Sequence, residues 1–120
     1  MDSELPGKIR RARYPFVARV TIEHLASGEQ IDGMTTDLSE GGCGVRLLAP
    51  FSGGARISAK ITKNGITLVI PATVAYSLPP AAMGLAFIDM PPEQKKILVD
   101  WLRAAIPTIR RNAREEGIER

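Results

Sequence analysis

At 120 residues, with 44% hydrophobic and 24% charged side chains, the chain suits a single globular domain that can bury its own core. One cysteine excludes an internal disulfide. No apolar run approaches the roughly 18 residues of a membrane helix, and the charged N-terminus lacks the apolar stretch of a secretory signal, so the expected setting is cytoplasmic, without membrane insertion. The formal net charge of +3 is too small and too mixed with acid to argue for a nucleic-acid polymer as partner.

The charge is unevenly placed. Residues 1–19 carry five basic and two acidic side chains, residues 20–92 four and six, and residues 93–120 seven and five. The N-terminal excess is concentrated in "RRARY", Arg10 to Tyr14, where three arginines fall within four residues. Residues 1–15 therefore read as a flexible basic arm, and a short arginine cluster of this kind suits a compact anion.

From Phe16 the pattern alternates. Phe16, Ala18, Val20 and Ile22 share one side and Arg19, Thr21 and Glu23 the other, as in a half-buried strand. "ASGEQ" is a turn. A second strand of weaker pattern runs from about Ile31 to Asp37, and Cys43, Val45 and Leu47 alternate as a third. After the break at "APFSGGA", Ile57, Ala59 and Ile61 form a fourth strand. Asn64-Gly65 is a strong hairpin signal because both residues tolerate positive φ. The return strand carries Ile66, Leu68, Ile70, Ala72 and Val74 in phase, with Pro71 outward, which suggests an edge or a bulge there. "GLAFID" is a last short strand.

The period then changes. In "PPEQKKILVDWLRAAI", Ile97, Leu98, Trp101, Leu102 and Ala105 recur at helical spacing, and Pro92 and Glu93 suit a helix start. Pro107 is expected to interrupt this helix, leaving residues 107–120 as a charged tail that either adds a further helical turn or two or is disordered. Six short antiparallel strands followed by one helix that must bury Trp101 predict a mainly β domain over residues 16–106. A small closed barrel or a highly curved sheet would solve the edge problem of such short strands.

Catalytic chemistry finds little support. His24, the single histidine, lies in phase with Val20 and Ile22 and reads as structural. Cys43 reads as a small packed hydrophobe. One histidine and one cysteine without ligand spacing make no zinc site, no carboxylate pair can be placed across a cleft, and no triphosphate-type glycine loop is present. The expectation is a protein that is not an enzyme and carries no metal or cofactor.

Two clusters remain. In the arm, the guanidinium groups of Arg10, Arg11 and Arg13 can fork onto phosphate oxygens or stack on a purine ring. In "DLSEGGCGV", Asp37 offers acceptors that suit the N–H donors of a guanine edge, Ser39 offers a hydroxyl, and Gly42 lets backbone approach closely. The order of these features, an arginine-rich segment, a strand, then D/N-x-S-x-x-G, resembles the PilZ domain family. Asp37, Ser39 and Gly42 match the second motif position for position, and "GLAFID" followed by a helix resembles the family's late strand and helix. The resemblance implies a bacterial, six-stranded antiparallel β-barrel with a C-terminal helix that binds the second messenger cyclic di-GMP and passes the signal to a downstream protein partner. It also implies a ligand site of Arg10, Arg11, Arg13, Asp37, Ser39 and Gly42, to which Arg46, outward on the strand after the motif, is a candidate accessory.

The arginine motif departs from the family's R-R-x-x-x-R. Pairing Arg10 with Arg11 puts Pro15 at the third position. Aligning Tyr14-Pro15 with the residues that precede the last arginine puts Ala12 at the second position and Phe16 at the third. Either way the last arginine is missing, so two readings stand: a cyclic di-GMP receptor that signals by ordering its arginine arm over the ligand, or a degenerate PilZ domain that takes no nucleotide and contacts other proteins.

Overall fold

The strand pattern read from the sequence closes on itself. The computed structural model describes residues 12–115, with side chains described over residues 12–105. The described strands are β1 (Tyr14–Pro15), β2 (Arg19–His24), β3 (Gln30–Leu38), β4 (Gly42–Leu47), β5 (Arg56–Lys63), β6 (Ile66–Leu78) and β7 (Ala82–Phe87), and one helix, α1 (Pro92–Glu115), follows them. All pairings are antiparallel, and the order β3-β2-β5-β6-β7-β4 returns to β3 through a β3–β4 pairing. Six strands thus form a closed antiparallel barrel, which leaves no long unpaired edge.

The core follows from period-two alternation. Val20 and Ile22 from β2, Val45 and Leu47 from β4, Ile57, Ala59 and Ile61 from β5, and Leu68, Ile70, Ala72 and Val74 from β6 are all buried. Cys43 is among them, and burial pushes its thiol pKa up to about 12. The Asn64-Gly65 turn has the positive φ angles expected of it, 52° and 81°. His24 stays at the β2 end, where its Nδ1 meets Ser27 and its ring lies against Phe51.

Three features differ from the expected pattern. The first strand does not begin at Phe16: residues 16–18 lie between β1 and β2, held by the buried Thr35 hydroxyl, which donates to the Phe16 carbonyl at 2.6 Å and accepts from the Ala18 N–H at 2.9 Å. Leaving those two backbone groups without a partner would cost about 1–3 kcal/mol each. Before them stands β1, a two-residue strand that the sequence did not signal, paired as Tyr14 to Leu38 and Pro15 to Asp37.

Pro71 stands at an open edge, as expected of a proline within a strand. It pairs with Ser58 inside the barrel and lies in β6 just before the β7 pairing begins at Ala72. The neighbouring open side of β6 is finished by α1, whose Gln94 side chain accepts the Val69 N–H at 2.8 Å. Alternate N–H groups point the same way along a strand, so the N–H that Pro71 lacks would also have faced this side. The bulge in β6 falls later, between Val74 and Tyr76.

The third difference is Pro107, because α1 continues through it to Glu115. Proline removes one backbone donor, and the flanking turns carry the helix past it. Leu98, Val99, Trp101 and Leu102 are buried on the inner side of α1. Trp101 packs on Phe16 with ring centroids 5.2 Å apart, and the ammonium of Lys63 lies 5.2 Å from the Phe16 centroid.

Candidate functional site

The site forms where the N-terminal lead-in crosses the end of β3. β1 pairs with the last two residues of β3, which brings the preceding Arg13 beside Asp37. The Arg13 guanidinium donates to Asp37 Oδ1 at 2.8 Å across 24 positions of sequence. The same carboxylate oxygen accepts the Gly44 N–H at 3.2 Å, while Oδ2 accepts the Thr36 hydroxyl at 3.1 Å.

Asp37 faces outward because of a bulge. Ile31, Gly33 and Thr35 occupy the inward positions of β3, and strict alternation would turn Asp37 inward as well. The register between β3 and β4 instead shifts between Thr35 and Asp37, so that Asp37 pairs with Gly44 and Leu38 with Cys43. The extra residue, Thr36, puts two consecutive side chains on the outer wall and returns Leu38 to the core. Gly44 makes this possible: a Cβ there would stand 2.7 Å from Thr36 Oγ1 and 2.8 Å from Asp37 Oδ2. Gly44 stands within "DLSEGGCGV", and nothing in the sequence analysis assigned it a role. Its signal was its place two residues after Gly42.

The other residues expected in the site are distributed as follows. Ser39 is buried, its N–H and its hydroxyl both donating to the Gly42 carbonyl at 2.9 and 3.3 Å, so it closes the turn between β3 and β4. Gly42 is required by the protein's own backbone, since a Cβ there would run into the Leu85 carbonyl of β7. That contact explains the glycine without reference to a ligand. Arg46 is exposed on β4, paired with Met34 on one side and Ala82 on the other, on the outer face two residues along from Gly44. Arg10 and Arg11 lie outside the described residues. Glu40, within the motif turn, forms an ion pair with Lys95 of α1 at 3.1 Å, which ties the turn to the helix.

Among the described residues, no group of three or more His, Cys, Asp or Glu is placed to hold a metal ion, and no helix is long and apolar enough to cross a membrane.

A closed six-stranded antiparallel barrel with one C-terminal helix, carrying an arginine–aspartate pair on its outer wall, defines the class of protein. The PilZ domain model matches residues 8–104, and the chain belongs to the PilZ domain family. Among solved structures it is similar to the PilZ domain with c-di-GMP of YcgR from Escherichia coli, at 17% identity and TM-score 0.65, covering 92% of this chain and 98% of that one. The PilZ domain of CeSA from a cellulose-synthesizing bacterium is similar at 22% identity and TM-score 0.63, with coverage of 78% and 96%. The Bacillus subtilis inhibitor of motility (MotI/DgrA) is similar at 20% identity and TM-score 0.63, but this chain, 85% covered, spans only 50% of it. At these identities the likeness speaks to the fold. No curated protein matches the chain.

Proposed function

We propose that this chain is a cyclic di-GMP receptor module that signals to a protein partner by closing its arginine arm over the bound nucleotide. The observation that carries the reading is the Arg13–Asp37 pair: the cationic lead-in folds back onto the motif carboxylate, on the outer wall, where a ligand can reach both. A guanine edge presents N–H donors in the geometry that a carboxylate accepts, and a phosphate takes up a guanidinium. A nucleotide whose base engages Asp37 competes with Arg13 for that oxygen, frees the guanidinium for a phosphate, and draws Arg10 and Arg11 over the ligand. Ser39 and Gly42 hold the turn that supports Asp37, and Arg46 stands on the same wall as a further cation. The solved PilZ domain of YcgR with c-di-GMP supports the ligand class.

Calorimetric titration of the purified protein with cyclic di-GMP tests the reading. Saturable heat at tens of micromolar protein is expected. Absence of heat with the fold intact rejects it in favour of a PilZ domain that acts through protein contacts alone. One observation favours that second reading: Phe16, where one alignment of the family's motif carries its last arginine, is committed to Trp101.

A further inference from the structure

Further along the outer wall from Asp37, three neighbouring strands carry a row of cation, thioether and cation. Asp32 and Met34 of β3 face outward, alternating with Ile31, Gly33 and Thr35. Met34 pairs with Arg46 of β4 on one side and with Arg19 of β2 on the other. All three residues are exposed, Met34 to 41%. Among the described residues, neither guanidinium takes an ion pair or a hydrogen bond.

A cavity of about 310 Å³ opens beside this row, lined by Arg19, Thr21, Asp32 and Met34 with Val20 and Gly33. Asp32 is held there by the Thr21 hydroxyl, which donates to its Oδ1 at 2.8 Å. Lys60, also exposed, pairs with Thr21. Across these two rows, from β4 to β5, the cations Arg46, Arg19 and Lys60 therefore stand against the single acid Asp32. Leu48, just past the end of β4, adds a second apolar side chain and is 89% exposed. A guanidinium forks onto a carboxylate, and an exposed thioether offers a deformable apolar contact. A nucleic-acid strand, by contrast, would find no aromatic platform in these rows and would meet Asp32.

We propose that this row is a docking surface for an acidic segment of a protein partner. Carboxylates of the segment lie on Arg19 and Arg46, and an apolar side chain between them seats over Met34 in the cavity. The surface goes beyond the nucleotide reading and serves a receptor and a nucleotide-free module alike, because neither Arg19 nor Met34 belongs to the motif. The anchor over Met34 supplies a desolvated centre, and the two flanking charge pairs supply orientation and partner choice.

The test needs no known partner. A phage-displayed library of random short peptides is selected on the full chain without nucleotide. Enriched peptides are synthesised and titrated against wild type, Arg19→Glu, Arg46→Glu and Met34→Ala, each checked for an unchanged fold by circular dichroism. The enriched peptides are expected to carry Asp or Glu on both sides of a large apolar residue. Arg19→Glu and Arg46→Glu should each weaken their binding roughly 10- to 100-fold, and Met34→Ala about fivefold or more. Arg19→Glu should leave the calorimetric response to cyclic di-GMP as it is in wild type, so the two readings fail separately. No enrichment, enriched peptides without acidic residues, or acidic peptides that bind all three variants as they bind wild type would each overturn the surface. So would a single-stranded oligothymidylate that binds more tightly than any enriched peptide at physiological salt and is lost in the same variants, since that would mark a nucleic-acid contact.

Discussion

Arg13 donates to Asp37 at 2.8 Å, although 24 positions of sequence separate them, because the two-residue strand β1 lies along the end of β3. The pair is exposed on the arginine side, where solvent screens its contribution to stability. Its value lies in bringing a cation and an acceptor to one place. Arg13→Ala should change folding stability by less than about 1 kcal/mol, whereas Asp37→Ala, which also takes the acceptor away from the Gly44 N–H, should cost about 1–3 kcal/mol. On the proposed function, each should weaken cyclic di-GMP binding by about 10- to 100-fold, since losing a charged contact typically costs about 1–3 kcal/mol. Thermal unfolding and calorimetric titration of both single variants and the double variant check this. Non-additive losses in affinity would show that the two side chains act on one ligand.

Gly42 separates a folding role from a binding role. A methyl group there meets the Leu85 carbonyl, a backbone atom of a paired strand that cannot rotate away. Gly42→Ala should therefore lower stability by about 1–3 kcal/mol, as overpacking does, with the strands β4 and β7 forced apart. Denaturant unfolding in the absence of nucleotide measures it. An unaltered midpoint would mean that the glycine serves the ligand rather than the barrel.

Phe16 gives the missing arginine a physical meaning. Its ring packs on Trp101 and lies near the Lys63 ammonium. Phe16→Arg would set a second cation near Lys63 and remove the aromatic contact, so it is expected to cost about 1–3 kcal/mol of stability. Trp101→Ala, which empties the site beneath α1, should cost more, about 3–5 kcal/mol. Unfolding curves for the two variants rank them. A gain in cyclic di-GMP affinity from Phe16→Arg out of a null background would favour the nucleotide-free reading of the native chain.

Cys43 sets a pH limit. Burial is the main reason its pKa rises from 9.0 to about 12, and the Asp37 charge adds to it. Above pH 9 the unfolded thiol releases its proton while the folded one keeps it, so this contribution to stability is complete below pH 9 and is lost as pH climbs toward 12. Cys43→Ala should flatten that part of the stability profile. At pH 8 the native thiol should react with a maleimide no faster than the protein opens, and rapid labelling of the folded state would contradict its burial.

The expected site was only partly local. "DLSEGG" announced an acid, a hydroxyl and a glycine between two strands, and the arginine cluster announced a cationic arm, because both depend on residue type and short spacing. Sequence reasoning placed the first strand at Phe16 and gave β1 no place, since a strand of two residues has no period to detect. It ran the Ile31–Asp37 strand with a weak pattern, and the weakness has a cause. Thr36 is an extra residue opposite β4, so the inward positions run 31, 33, 35 and 38. Pro107 was expected to interrupt the helix, yet α1 continues through it, because one lost donor does not outweigh the helical geometry on either side.

What the chain determined by itself was the set of elements. Period-two alternation of Ile, Val and Leu makes strands, Asn64-Gly65 makes a hairpin, and a helical stripe ending near Trp101 makes a helix, each through forces between residues a few positions apart. What only the tertiary structure decided was which way Asp37 points and that Arg13 meets it on the outer wall. A bulge is a mismatch in the number of residues facing each other across two strands. That number exists only once distant segments have paired and the barrel has closed.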